Sequence, residues 1–299
     1  MTKPAILVFA YHDVGYECLD VLIQNDEYIL AVITHKNNPT EEIWFRSVED
    51  LAKKYDIPVH TPESVNTPDW IARIRSWEPD LIFSFYYRSM INEEILGIPR
   101  LGAFNMHGSL LPKYRGRVPI NWAILHGEKE TGVTLHHMVK RADAGDIVDQ
   151  EVVPIGHDET AREVFAKCVK AARLVLERQL DALTTGTAPR REQNESQATY
   201  FGGRTPEDGR IDWTQSAEKI YNLIRAVTQP YPGAFTDVGG KRMIIWWAAP
   251  LPGGNGVPGE VLSLEPLRVT TGNGVLDIVN WEWEDDEMHE LRVGQVLGA

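Results

Sequence analysis

A chain of 299 residues that is 43% hydrophobic and 24% charged can bury one large core or two medium ones, which excludes wholesale disorder. Its formal net charge of −13 makes nucleic acid a poor default partner, because an acidic surface repels phosphate. No apolar run approaches the ~20 residues of a membrane span, and two cysteines, Cys18 and Cys168, cannot build a disulfide framework, so we expect a cytoplasmic protein.

The chain opens MTKPAILVFAYHDVG, and AILVFA reads as a strand buried on both faces rather than part of a leader peptide. A helix is expected over YECLDVLIQN and a strand over Tyr28–His35. A helix from about Ser47 and a short strand at Pro58–Thr61 follow. Thr67 and Pro68 start a helix whose apolar face is Trp70, Ile71, Ile74 and Trp77. Asp80–Tyr87 and GAFNMH are further strands, with the short helix INEEILGI between them. This alternation predicts an α/β domain with a parallel-rich sheet.

VPINWAILHG reads as a helix closed by Gly127. GVTLHHMV and DIVDQEVVPI form an expected antiparallel pair. Thr160 and Glu163 make a capping box before a helix running to about Leu183, with the stripe Phe165, Val169, Ala172 and Leu176 and Cys168 beside it. TTGTAPRREQNESQAT is polar and lacks periodicity, which marks a linker. Beyond it, one helix (AEKIYNLIRAV) and short β-rich runs split by Gly and Pro suggest a small β-barrel or OB-like domain. We therefore expect a first domain at 1–188, a linker at 189–203 and a second domain at 204–299. WEWEDDEMHE is expected to be a solvated hairpin end.

After AILVFA only Gly15 follows, so the glycine-rich cradles for dinucleotides and nucleoside triphosphates are both missing. Ligands of such sheets sit beyond the carboxyl ends of the strands. FNMHG is one of these ends. Asn105 and His107 are two residues apart, so a strand points both to one side. An amide N–H suits an oxyanion developing at a carbonyl. An imidazole can move a proton near neutral pH. A carboxylate is needed to orient the ring, and KRADAGDIV offers Asp143, with Asp146 and Asp149 as competitors. No nucleophile elbow or nearby cysteine is present, which favours direct acyl transfer. His12, His126, His136 and His137 are equally visible, but a strand sends adjacent His136 and His137 to opposite faces, which is poor for a shared metal. The residues themselves do not name the acyl group.

NMHGSLLPKYRGRVPINWAILHG and TGVTLHHMVKRADAGDIV resemble the folate-dependent formyltransferases, as do YFGGRTPEDGRIDW and QPYPGAF further on. The resemblance spans the chain and implies a Rossmann-like catalytic domain followed by an OB-like domain. It places Asn105, His107 and Asp143 in the catalytic motif, the last about 36 residues after the histidine. It implies 10-formyltetrahydrofolate as co-substrate, held by Ser89, Met90 and Ile91 largely through backbone, by Arg117, and by Val139, Lys140, Arg141, Ala142 and Asp143, with no metal. Lys113 and Arg115 have no assigned role and are expected to face solvent. Within the family, FAYHDVGYECLDVLI, THKNNPTEEIWFRSVEDLA and DLIFSFYYRSMI resemble most the members that formylate UDP-4-amino-4-deoxy-L-arabinose in lipid A modification and polymyxin resistance. Methionyl-tRNA formyltransferases and enzymes of other nucleotide-linked amino sugars are the alternatives. The polymyxin-resistance members continue into a dehydrogenase/decarboxylase domain, so a stand-alone transferase and a fusion of that kind are both open, as is a homo-oligomer. Residues 204–299 carry eight Lys/Arg against fourteen Asp/Glu, a poor surface for tRNA.

Overall fold

The computed structural model describes residues 3–39, 41–254, 256–285, 287 and 289–298. The chain forms two units, one of residues 1–119, 130–154 and 165–201, the other of residues 120–129, 155–164 and 202–299.

The first unit is built on a seven-stranded sheet. Its strands are β1 (Ala5–Ala10), β2 (Tyr28–Ile33), β3 (Val59–His60), β4 (Leu81–Phe85), β5 (Ala103–His107), β7 (Glu130–His137) and β8 (Ile147–Pro154), in the order β3-β2-β1-β4-β5-β7-β8. Pairings are parallel from β3 through β5 and antiparallel from β5 to β7 and β8. The apolar runs β1 and β4 sit at the centre because both their faces are covered; Leu7, Phe9 and Ile82 have no exposed surface and pack with Ile33, Ile74 and Ile95. Each fully buried side chain of this kind contributes roughly 1.5–3 kcal/mol.

Helices α1 (His12–Gln24), α2 (Val48–Lys54), α3 (Pro68–Ser76) and α4 (Glu93–Leu96) join these strands. The first begins four residues earlier than the periodicity suggests. With no glycine-rich loop to accommodate, β1 turns directly into α1 through a left-handed His12 (φ 64°). Gly15 permits the close approach: a Cβ there would lie 3.1 Å from both Ala10 Cβ and Phe85 O. Helix α3 is capped as expected, with Thr67 accepting from Trp70 N and Ile71 and Ile74 buried.

Two short strands, β6 (Arg115–Gly116) and β9 (Tyr200–Phe201), pair in parallel in the first unit. The segment expected as a linker is therefore bound to this unit along part of its length. Arg191 also bridges Ile147 through two backbone hydrogen bonds.

Helix α5 (Pro119–Leu125) ends at Gly127 (φ 72°), and α6 (Ala161–Thr185) follows the Thr160–Glu163 capping box. Phe165, Val169, Ala172, Leu176 and Cys168 are buried along α6. Burial pushes the Cys168 thiol up to about 12, and Cys18 is also raised, so both are inert core residues.

The second unit carries α7 (Ala217–Val227) and a five-stranded antiparallel sheet of β10 (Ala234–Val238), β11 (Lys241–Leu251), β12 (Val261–Leu264), β13 (Leu267–Thr270) and β14 (Val275–Trp283), in the order β10-β11-β14-β13-β12. This is the small β-rich domain expected. Glu282, Glu284 and Asp285 are exposed, but the segment is not the hairpin end expected: β14 runs on through the buried Trp283 and among the described residues no strand follows, while Asp286 and Met288 lie outside the described residues.

Candidate active site

The carboxyl end of β5 presents Asn105 and His107 on one face of the sheet. The antiparallel register places His136 of β7 opposite Asn105 and Thr134 opposite His107. His136 and His137 do point to opposite faces. His137 packs on Phe104 and its Nε2–H donates to Pro189 O (3.0 Å), whereas His136 turns Nε2 toward Asn105 Nδ2 (3.1 Å). The His136 Nδ1–H donates to His137 O (2.8 Å), so a neutral His136 ring offers Nε2 as an acceptor.

His107 is buried. Its Nε2–H donates to Tyr114 O (2.8 Å), which fixes the ring and leaves Nδ1 facing Asp143 Oδ1 at 3.5 Å. The same oxygen lies 3.4 Å from Asn105 Nδ2 and 3.5 Å from His136 Nε2. Asp143 Oδ2 accepts from Gly116 N (2.9 Å). Asn105, His107, His136 and Asp143 thus form one polar cluster. Of the three competing aspartates, Asp146 is engaged with Arg190 and Asp149 with Arg178 and Gln179, so it is the Asp143 carboxylate that meets His107 and His136.

Burial by itself would raise the Asp143 carboxyl. Positive charge on His107, a proton donated by His136, further positive charge there and the Gly116 N–H outweigh it, and hold the carboxyl well below the usual carboxylate range when the rings are protonated. A depressed folded pKa adds stability above the unfolded value of about 3.9 and loses it as pH falls through the folded value. The stability gap between the wild type and Asp143→Asn should therefore be widest above about pH 5 and close on acidification. Urea melts from pH 7 downward test this; a constant gap would contradict it.

The Ser-Leu-Leu-Pro loop is rigidly held. Thr134 Oγ1 donates to Ser109 O (2.6 Å) and accepts from Leu111 N (3.1 Å), and Gln150 Nε2 donates to Leu111 O (3.0 Å). Gly108 lies beneath the Tyr86 hydroxyl, which a Cβ would meet at 2.2 Å. The Asp143 turn is equally close to β7, since a Cβ on Gly145 would lie 1.8 Å from His137 O. Gly145→Ala should cost roughly 1–3 kcal/mol through overpacking, visible as a lower Tm; an unchanged Tm would show that the turn can move aside.

The residues implied for the folate site are two stretches, 89–91 and 139–143, and Arg117. Ser89 and Met90 are exposed, but the Ile91 side chain is buried in the core, so only its backbone can meet a ligand. Arg88 N donates to His35 Nε2 (3.0 Å) and Asn66 Nδ2 to Met90 O (2.8 Å), which clamps this turn. Val139, Lys140 and Arg141 are exposed and Ala142 is half-buried; Lys140 reaches Glu93, two residues past Ile91. Arg117 is exposed, with its backbone N–H on Phe201 O. Lys113 faces solvent as expected, but Arg115 does not: its side chain has no exposed surface.

The other histidines stand apart. His12 is stacked on Phe45 (3.9 Å) and enclosed by Trp44 and Phe165; burial, with help from the Arg88 charge, lowers it to about 3 and keeps it neutral. His126 is exposed beside Trp122. Among the described residues, the group with metal-ligand spacing is the exposed Asp285 and Glu287 with the half-buried His289, in the second unit, where Lys241 already pairs with Asp285. No helix among the described residues is long and apolar enough to cross a membrane.

Residues 2–180 match the formyl transferase family, and residues 204–292 match the formyl transferase C-terminal domain. The chain belongs to the formyl transferase family. Among solved structures it is similar to an N-formyltransferase from Helicobacter canadensis in complex with folinic acid and dTDP-3-aminofucose (22% identity, TM-score 0.69, covering 93% of this chain and 99% of that one). It is also similar to HypX from Aquifex aeolicus in complex with tetrahydrofolic acid (21%, 0.64, 95% and 45%). A third is methionyl-tRNA formyltransferase from Clostridium thermocellum (20%, 0.59, 83% and 93%). At these identities the three structures share its fold.

Proposed function

We propose that this chain transfers the formyl group of 10-formyltetrahydrofolate to the 4-amino group of a UDP-linked amino sugar, UDP-4-amino-4-deoxy-L-arabinose. The observation that carries the reading is the convergence of an amide donor, a buried imidazole and an ionised carboxylate at one strand end. The neutral amine attacks the formyl carbon, forming the new C–N bond. The 3.4 Å contact from Asn105 Nδ2 to Asp143 is long, and the developing oxyanion replaces it. His107 takes the amine proton at Nδ1, the nitrogen not held by Tyr114, and Asp143 stabilises the imidazolium. The same proton then goes to N10 as the C–N10 bond breaks. The products are the N-formyl sugar and tetrahydrofolate. Ser89–Ile91, Arg117 and the turn 139–143 serve the donor.

The choice of a sugar acceptor rests on the sequence stretches that resemble the polymyxin-resistance members and on charge. The net of −6 over residues 204–299 disfavours a tRNA phosphate backbone. Binding of the helicobacter relative to an aminosugar nucleotide is in keeping with this reading. The test offers 10-formyltetrahydrofolate together with UDP-4-amino-4-deoxy-L-arabinose, dTDP-linked amino sugars and methionyl initiator tRNA in separate reactions. The UDP sugar should show the highest kcat/KM. Preference for a dTDP sugar would move the acceptor class, and preference for the charged tRNA would overturn the sugar reading.

A further inference from the structure

Asp143 occupies a backbone conformation that an ordinary side chain rarely adopts, with φ at 54°. Asp tolerates this region better than most side chains, and here contacts on both sides fix it. Gly116 N–H holds its carboxylate from one side. From the other side, Gln193 Nε2 donates to both Asp143 O (2.8 Å) and Gly145 O (2.6 Å). Gln193 is 5% exposed and its amide oxygen is also committed, accepting from Arg115 Nη2 (2.7 Å) and Nε (3.1 Å).

Arg115 is the largest fully buried side chain of the molecule among the described residues. Its guanidinium fork also meets Glu195 Oε1 (2.6 Å) and donates to the Tyr200 hydroxyl. The Tyr200 ring lies between Arg115 and Arg141, 5.2 and 4.7 Å from its centroid, and Arg141 also pairs with Glu195. The segment 193–200 therefore clasps both ends of the turn 141–145. A buried guanidinium is an inefficient way to add stability, because desolvation offsets much of the Coulombic gain. Its planar fork does fix geometry, since it holds two acceptors at set angles.

We propose that Gln193 and Arg115 are positioning residues for formyl transfer. Gln193 sets the Asp143 backbone so that its carboxylate faces His107, and Arg115 holds Gln193 in register. Neither touches the reacting atoms. The proposal rests on the catalytic reading of Asp143 given above. It gives a task to a segment whose composition resembles a tether, and to an arginine expected to face solvent.

The test uses the full chain with Gln193→Glu, which keeps the shape and an acceptor for Arg115 but removes both N–H donors. Misplacing Asp143 should lower kcat on the order of 10- to 100-fold, with the KM of the amino sugar unchanged. The acid limb of the pH–rate profile should move in the same direction in Gln193→Glu and in Asp143→Asn, because both changes take the carboxylate away from the His107 ring. The double variant Gln193→Glu/Asp143→Asn should be no slower than Asp143→Asn alone, because the two act through one group. Arg115→Lys, which keeps the charge but loses the fork, should give the same pattern and carries the test if Gln193→Glu does not fold. Wild-type kcat with an unmoved acid limb, or a double variant showing the full product of the two losses, would overturn the proposal. An NMR titration of the His107 ring separates this proposal from the formyl-transfer reading. A titration shifted by Gln193→Glu supports the positioning role even if no amine is formylated, and an unshifted one contradicts that role whatever the activity.

Discussion

Replacing His107 with alanine should lower turnover by roughly 10²–10⁴-fold, the span a positioned proton-transfer group contributes. The ring is 7% exposed, lies against Asp143 and is fixed by Tyr114 O, so it is held in one orientation for proton transfer. Loss should fall mainly on kcat, because the proton moves only as the amine attacks and N10 departs. The acid limb of the pH–rate profile should vanish with the base. Added imidazole, which fits the space left by the ring, should restore part of the rate. A His107→Ala enzyme with near-normal kcat would remove the imidazole from the mechanism, and the other neighbour of Asp143 Oδ1, His136, would become the base to test.

Asn105→Ala is expected to cost about 10²–10³-fold in turnover, the usual effect of removing one oxyanion donor. The amide must also keep a neutral donor in contact with His136 Nε2. Asn105→Asp should therefore be no better than Ala, although it is nearly isosteric. It replaces the donor with a second carboxylate 3.4 Å from Asp143 Oδ1, where like charges repel and an oxyanion would be repelled too. Steady-state kinetics of the two variants beside the wild type decide the matter. An Asp variant faster than the Ala variant would mean that the position does not serve a developing negative charge.

Much of this architecture is legible in the chain because local rules and tertiary structure agree. AILVFA is apolar throughout and LIFSF is apolar but for the buried Ser84, as suits strands buried on both faces, and Thr67-Pro68 starts its helix where cap chemistry requires. Asn105 and His107 share a face for the same elementary reason, the period of a strand. What is not legible depends on register. Nothing local says that His136 lies opposite Asn105, because antiparallel pairing over 31 residues is set by the whole sheet. Spacing alone leaves Asp143, Asp146 and Asp149 equivalent. The choice is made by an irregularity between Leu135 and His136 in the β7–β8 ladder and by a left-handed turn packed on His137 O. Arg115 and Gln193 are 78 residues apart, and their hydrogen bonds leave no trace in hydrophobic periodicity. A polar, aperiodic stretch reads as a tether whether it is solvated or satisfied by buried polar partners.

The most direct test follows an isotopically labelled formyl group from 10-formyltetrahydrofolate to the nitrogen of UDP-4-amino-4-deoxy-L-arabinose. Mass spectrometry reads the sugar in the wild type and in a variant with Asn105, His107 and Asp143 all replaced by alanine. The account predicts that label appears on the sugar nitrogen in the wild type and falls to the uncatalysed level in the triple variant. Label transferred equally well by the folded triple variant would contradict it.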